Sequence, residues 1–532
     1  MFGAALALTA AAWWPVSASG SHAQLAIIQD GGDLTDPHGT LAQFRELGAS
    51  TVRVSIQWAT IAPSPRSARR PAFDATDPNA YPTGVWAPYD AIVQTARQDG
   101  LTVDFIITGG APLWAEGPGV PWPGVSLYYA WKPRASAYGQ FVRAVGVRYD
   151  GRFTPTGGFS PLPAVRFWTI FNEPNFGEDL APQAIDGSRV SVAPMMYRRL
   201  VKAGWSALMA TGHRHDRIVI GDFAARGISA RSSKHAPQGY PGNYGQTKPL
   251  IFIRTLYCVN ARYQHLRGAA ARRVGCPTTA AGSRAFRGNN PGLFKASGVG
   301  DDPVPDNRSP AADGTSDPNF ATIADLGRLE TALDKVNQAY GSGKKYGIYS
   351  DEYGYITHPP ARPKYVSPRA AAYYINWAEY LSWKNPRVKS YMQYLLRDPA
   401  PAASGPYAGY ASGLEYYNGQ PKPSYDAYRL PLYLPKTSFP RRASVEVWGV
   451  TRPAPFMQHD GHGPQTVSIQ LNGQTIRTVT ATRAGGYFDL HMKFATSGNL
   501  RLAYTYPSSD PFLPIGAAGS TVYGRTVNIT VR

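Results

Sequence analysis

Only two cysteines, Cys258 and Cys276, occur in 532 residues. No cluster of histidines accompanies them, so a structural zinc site is excluded and no metal is expected. Both lie in one loop-rich stretch, which in an exported protein reads as a single disulfide closing a local loop. Beyond the first residues there is no run of about 20 apolar side chains, so no integral membrane span is expected. Acidic residues are scarce: 35 Asp and Glu stand against 54 Lys and Arg, a formal net charge of +19. The basic residues are scattered, apart from short clusters such as Arg69-Arg70, Arg272-Arg273 and Arg441-Arg442. No DNA-binding motif is visible among them, so no nucleic-acid partner is expected. The charge reads either as a basic, solvated surface or as non-specific attraction to anionic cell-wall polymer or acidic polysaccharide.

What is present fits a globular protein with room for two domains: 43% of the residues are hydrophobic. Residues 1–23 read as a signal peptide. Phe2 to Val16 is apolar and rich in Ala and Leu, and Val16-Ser17-Ala18 or Ser21-His22-Ala23 suits signal peptidase. No Lys or Arg precedes the run, a departure from the usual pattern. Pro15 and the shortness of the run argue against a stable anchor. A secreted or cell-wall-associated monomer is the expectation.

Residues 24–435 repeat one order: amphipathic helix, glycine, apolar strand. Gly48 precedes Thr51 to Ile56, Gly100 precedes Leu101 to Ile107, and Gly212 precedes Arg217 to Ile220. Glycine suits the left-handed residue that ends a helix. The strands are rich in β-branched residues and only partly alternating, as when both faces are buried. The count favours a (β/α)8 barrel of the α/β class. Further strands are expected at residues 24–28, at Val165 to Phe171, at Tyr346 to Asp351 and at Ser390 to Leu396. The sixth is the faintest; its best candidate is Leu293 to Val299, inside an insertion at about residues 228–318 rich in Gly, Pro, Arg and Ser. Residues 442–532 read as an antiparallel, immunoglobulin-like β-sandwich behind a stiff linker, Pro431 to Pro440. Asn472-Gly473 marks a hairpin within it. The sandwich either binds carbohydrate or packs on the barrel.

Asn172-Glu173-Pro174 ends the fourth strand, and Glu352 ends the seventh. Two carboxylates at two strand ends can cut a glycosidic bond, one protonating the leaving oxygen and the other attacking the sugar carbon. Phe171-Asn172-Glu173-Pro174-Asn175 and Ser350-Asp351-Glu352-Tyr353-Gly354-Tyr355 resemble the two catalytic segments of the clan A retaining glycoside hydrolases, whose members include the cellulase-like family 5 and family 39. The resemblance covers roughly residues 24 to 435. It implies Glu173 as acid/base, Glu352 as nucleophile, Asn172 as partner of the sugar 2-hydroxyl, and no cofactor. An Arg on strand two commonly holds the nucleophile in this clan; Arg53 either does so or forms a structural salt bridge. Trp58, Trp114, Tyr355 and Tyr394, at or near strand ends, are the other candidate substrate contacts. Trp114, Trp122, Tyr128, Tyr129 and Trp131 crowd the loops after strand three, where aromatic faces suit pyranose rings. Asp351 is expected on the opposite side of its strand from Glu352, and Glu178 and Asp179 as exposed loop carboxylates. Relatives place a His-x-Tyr pair after strand six; this sequence has none there. The implied activity is hydrolysis of a polysaccharide or oligosaccharide by double displacement. A transglycosylase of the same fold and a non-catalytic carbohydrate-binding protein remain as alternatives.

Overall fold

A computed structural model of the protein describes residues 21, 23–30, 32–119, 128–185, 187–227, 240–312, 317–401, 410–481 and 485–532. The expected leader thus lies almost wholly outside the described residues. Eight parallel strands close into a barrel in chain order: β1 (Leu25–Gln29), β2 (Thr51–Gln57), β3 (Thr102–Thr108), β4 (Phe167–Ile170), β5 (Arg217–Ala224), β6 (Gly298–Asp302), β7 (Gly347–Ser350) and β8 (Val388–Tyr394). Outward residues such as Val52, Val54 and Ile56 pack under the surrounding helices, while inward residues fill the barrel, so both strand faces are buried. The lower half of the interior is apolar, built from Ile27, Phe167, Val219, Tyr349 and Met392. Toward the C-terminal rim the filling turns polar, and the register aligns Gln29, Arg53 and Asp104 across β1, β2 and β3.

Strand six begins later than the sequence pattern suggests, because Leu293 belongs to a short helix, Pro291–Lys295. Gly-Val-Gly-Asp-Asp is a poor strand sequence by propensity, and tertiary packing explains it. A Cβ at Gly298 would sit 2.3 Å from the Tyr349 ring, so the glycine leaves that ring its place in the barrel core. The expected disulfide is present between Cys258 and Cys276.

The C-terminal domain is a pair of sheets. One runs β10 (Ser438–Phe439), β17 (Val527–Val531), β15 (Gly498–Thr505), β12 (Gln465–Leu471) and β13 (Gln474–Ala481), with β16 (Thr521–Tyr523) beside β15. The other runs β14 (Tyr487–Lys493), β11 (Ser444–Val450) and β9 (Leu432–Tyr433). Since β9 pairs with β11, the domain recruits residues from the stretch assigned to the barrel. No described helix is long and apolar enough to cross a membrane.

The two domains share a buried interface. Tyr380 and Trp383, on the Pro368–Lys384 helix, pack with Tyr433, Trp448 and Tyr487. Arg452 pairs with Glu379 of that helix at 2.6 Å, both side chains being almost wholly buried, and Tyr487 donates a hydrogen bond to Glu379 at 3.2 Å. Removing the sandwich would bare these rings and strand Glu379 without its arginine. Arg452→Met is therefore expected to destabilise the protein by about 3–5 kcal/mol, the cost of breaking a buried pair from one side. Urea unfolding measures it. Arg452→Met/Glu379→Leu should recover most of the loss, and a single-variant cost under about 1 kcal/mol would show that water reaches the pair.

Candidate active site

Arg53 is the hub of the C-terminal rim. Its side chain has no solvent exposure, and the guanidinium ties together residues of four other strands or the loops that follow them. One terminal nitrogen donates to Glu352 Oε1 at 3.0 Å and to Gln29 Oε1. The other donates to Asp222 Oδ2 at 2.5 Å and to Asn172 Oδ1 at 3.3 Å. A planar fork of donors suits such an array better than an ammonium would. Glu352 lies just beyond β7, and its side chain retains 15% exposure. It is held from below and reachable from above.

The turn after β4 delivers the second glutamate. Phe171 and Glu173 have positive φ, 73° and 33°, an unfavourable region for side chains of this size. The Phe171 ring is fixed against Tyr138 and Tyr197, and Gly109 makes room for it, since a Cβ there would meet the ring at 2.8 Å. Packing thus imposes the turn that aims Asn172 and Glu173 at the barrel mouth. Among the described residues no ion pair reaches Glu173, in contrast to Glu352.

This asymmetry separates the two carboxyls electrostatically. Burial, and then the charges of Glu352, Asp179 and Asp222, push Glu173 well above the usual carboxylate range, and Arg53 only partly opposes them. Burial also raises Glu352, but there Arg53 opposes both through its charge and through a direct hydrogen bond. Both carboxyls are raised, Glu173 the more strongly, so Glu173 is the readier acid of the pair and Glu352 the readier anion. Arg53 remains a cation: burial works against its charge, and Asp222, Glu352, Asp302 and Asp351 outweigh it.

Arg53, Asn172, Glu173 and Glu352 come together at the mouth. Tyr394, the last residue of β8, joins them: its hydroxyl is raised by burial first and then by the Glu352 charge, and its ring meets Tyr410 edge-on at 5.3 Å. Three other candidates do not reach it. Trp58 is buried, stacked on Phe141 and edge-on to Trp114. Trp114 is buried too, its indole N–H donating to the Pro63 carbonyl at 3.0 Å. Tyr355 is buried beside Tyr353 and Tyr374, its hydroxyl donating to the Arg308 carbonyl. All three fill the shell outside the barrel, where a large aromatic buries more apolar area than it would at the rim. Trp131 is buried against Tyr244, and Trp122 lies outside the described residues. Asp179 is not a free loop carboxylate: it accepts a hydrogen bond from Asn172 at 3.4 Å, and burial pushes it up to about 8. Asp351 is fully buried in the rim cluster, because past Ser350 the strand alternation no longer holds.

Sequence reasoning passed over Asp222, Asp302 and Asp104. Asp222 has a structural reason to be missed. It is the extra residue of a bulge in β5, between Gly221 and Phe223, with φ of 55°. Regular alternation would have sent it outward; the bulge turns it onto Arg53.

The closed barrel with glutamates after β4 and β7 fits the clan A layout. No family model matches the sequence, and no curated protein matches it. Solved structures similar to it include a family 39 glycoside hydrolase from Bacteroides cellulosilyticus WH2, at 12% identity over 90% of this chain and 80% of that one, with a TM-score of 0.45. A glucosidase from Croceicoccus marinus is 12% identical over 90% of this chain and 94% of its own, with a TM-score of 0.46. A beta-glucosidase from Thermotoga maritima is 16% identical over 74% and 84%, with a TM-score of 0.43.

Proposed function

We propose that the protein is an exported retaining O-glycoside hydrolase acting on a polysaccharide or oligosaccharide. The observation that carries this reading is the unequal pair at the barrel mouth: Glu352, gripped by Arg53 at 3.0 Å, and Glu173, with a strongly raised carboxyl. Glu352 attacks the anomeric carbon while Glu173 protonates the departing oxygen; Glu173 then deprotonates the water that releases the sugar. Asn172, tethered between Arg53 and Asp179, presents its amide to a sugar hydroxyl. Tyr394 and Tyr410 supply aromatic surface at the same mouth.

A panel of aryl glycosides tests this directly. Turnover of at least one member, with the first-formed sugar retaining its anomeric configuration by NMR, is the expected result. An inverted product would move Glu352 to the role of base. Binding of oligosaccharides without any turnover would instead favour a carbohydrate-binding protein.

A further inference from the structure

Beneath the catalytic pair lies a set of carboxyl groups that the proposed chemistry leaves without a task. Asp104, Asp222, Asp301, Asp302 and Asp351 are all at most 1% exposed. The cation at their centre is Arg53, already shared with Glu352; Arg217 acts on Asp104 and Arg226 on Asp301 from the edges of the set. Asp222, Asp302, Asp351 and Glu352 share Arg53; so many anions cannot be buried around one guanidinium, and some must be held as neutral acids.

The arrangement around Asp222 shows which. Its Oδ2 accepts from Arg53. Its Oδ1 and Asp351 Oδ2 converge on Gly300, where a Cβ would stand 2.8 Å from one and 2.7 Å from the other. Neither oxygen receives a hydrogen bond from an N–H or hydroxyl of the described residues. Asp222 Oδ1 and Asp351 Oδ2 are thus left to each other above Gly300, and both carboxyl oxygens of the buried Asp302, which lies within range of the Asp222 charge, are likewise without a hydrogen-bond partner among the described residues. Ionised carboxylates only accept, so such oxygens can satisfy one another only if one partner of each pair carries a proton. Asp222, facing Arg53, is the natural anion. Among the described residues no group of acidic, histidine or cysteine side chains is arranged to hold a metal ion in their place.

We infer that Asp351 and Asp302 are protonated acids donating to an ionised Asp222, and that Asp222, so supported, is a positioning residue that fixes Arg53 on Glu352 for the displacement step. The charge balance agrees. Burial lifts Asp302 and Asp351 well above the carboxylate range, while for Asp222 the lift from burial is opposed by Arg53, Asp351 and Asp302. The groups around Asp222 are Arg53 from β2, Asp104 from β3, Glu173 and Asp179 from the loop after β4, and Asp301 and Asp302 from β6. Asp351 and Glu352 follow β7, and Tyr197 approaches from the Ala193–Ala210 helix. The bulge in β5 and the glycine at 300 exist, on this reading, to bring one carboxylate and its two proton donors together under the nucleophile.

The inference rests on the hydrolase reading, and two measurements separate them. The Asp222 charge raises both Glu352 and Glu173. The isosteric Asp222→Asn should therefore move both limbs of the kcat/KM bell to lower pH, by about one unit, besides lowering kcat. Reduced activity with both limbs unmoved would show a merely structural Asp222 and overturn the positioning role. Infrared spectroscopy of the full chain needs no turnover. Near neutral pH the wild type should show carboxylic-acid C=O absorption, of which Asp351→Asn and Asp302→Asn each remove a part; Glu173, Asp179, Asp301, Asp104 and Glu116, whose carboxyls burial also raises, contribute to the remainder. Unchanged absorption in both variants would overturn the proton assignment, even if the aryl glycoside panel succeeds. Loss in both would uphold it, even if the panel fails.

Discussion

Glu352→Ala is expected to lower kcat/KM for any aryl glycoside that the wild type cleaves by a factor on the order of 10⁴ or more. The size follows from the mechanism. Without the carboxylate no covalent glycosyl intermediate can form, and the remaining groups only bind and protonate. No neighbouring acid can substitute for it. Asp351 and Asp302 are buried below the rim, and Asp179 is held by Asn172. Nor should the fold suffer, because Glu352 is partly exposed and its removal subtracts one negative charge from a crowded acidic cluster. Arg53 keeps Asp222, Gln29 and Asn172. A thermal melt within a few degrees of wild type would therefore accompany the loss of turnover. Activity within tenfold of wild type would remove Glu352 from the role of nucleophile.

The barrel and its two glutamates were legible in the sequence because their signals are local. Gly48, Gly100 and Gly212 do adopt positive φ, 78°, 70° and 100°, so the helix-to-strand punctuation had a backbone cause. Asn472-Gly473 likewise forms its hairpin between β12 and β13. What remained hidden depends on packing between distant segments. β6 carries two glycines and two aspartates and is a strand only because neighbouring side chains occupy the space beside it. The Asp222 bulge reverses a side chain against the period-two rule. Trp58 and Trp114 stood close enough in sequence to strand ends to suggest sugar platforms, yet burial of a large aromatic is the stronger force. The acidic floor of the rim is the most consequential omission. Its members come from β3, β5, β6 and the end of β7, and no single stretch of sequence displays them as a set.

Glu173→Ala should give a loss that depends on the leaving group. For a poor leaving group, such as a sugar alcohol, the missing proton costs a factor on the order of 10²–10⁴ in kcat/KM. For an activated phenol the first step needs little protonation, so kcat/KM should fall far less and slow release of the glycosyl group on Glu352 should limit kcat. The pH profile follows with a definite sign. Glu173 works in its protonated form, so its raised carboxyl keeps the enzyme active to higher pH, and the basic limb of the bell marks its deprotonation. In the variant that limb should vanish for activated substrates, while the acidic limb set by Glu352 stays. Azide, small enough for the space left by the side chain and needing no base, should then take the sugar from Glu352 and raise kcat. Two displacements at one carbon restore its configuration, so the glycosyl azide should have the anomeric configuration of the substrate. An azide of inverted configuration would mean direct displacement without an intermediate on Glu352, and a basic limb that persists in the variant would assign the acid to another residue.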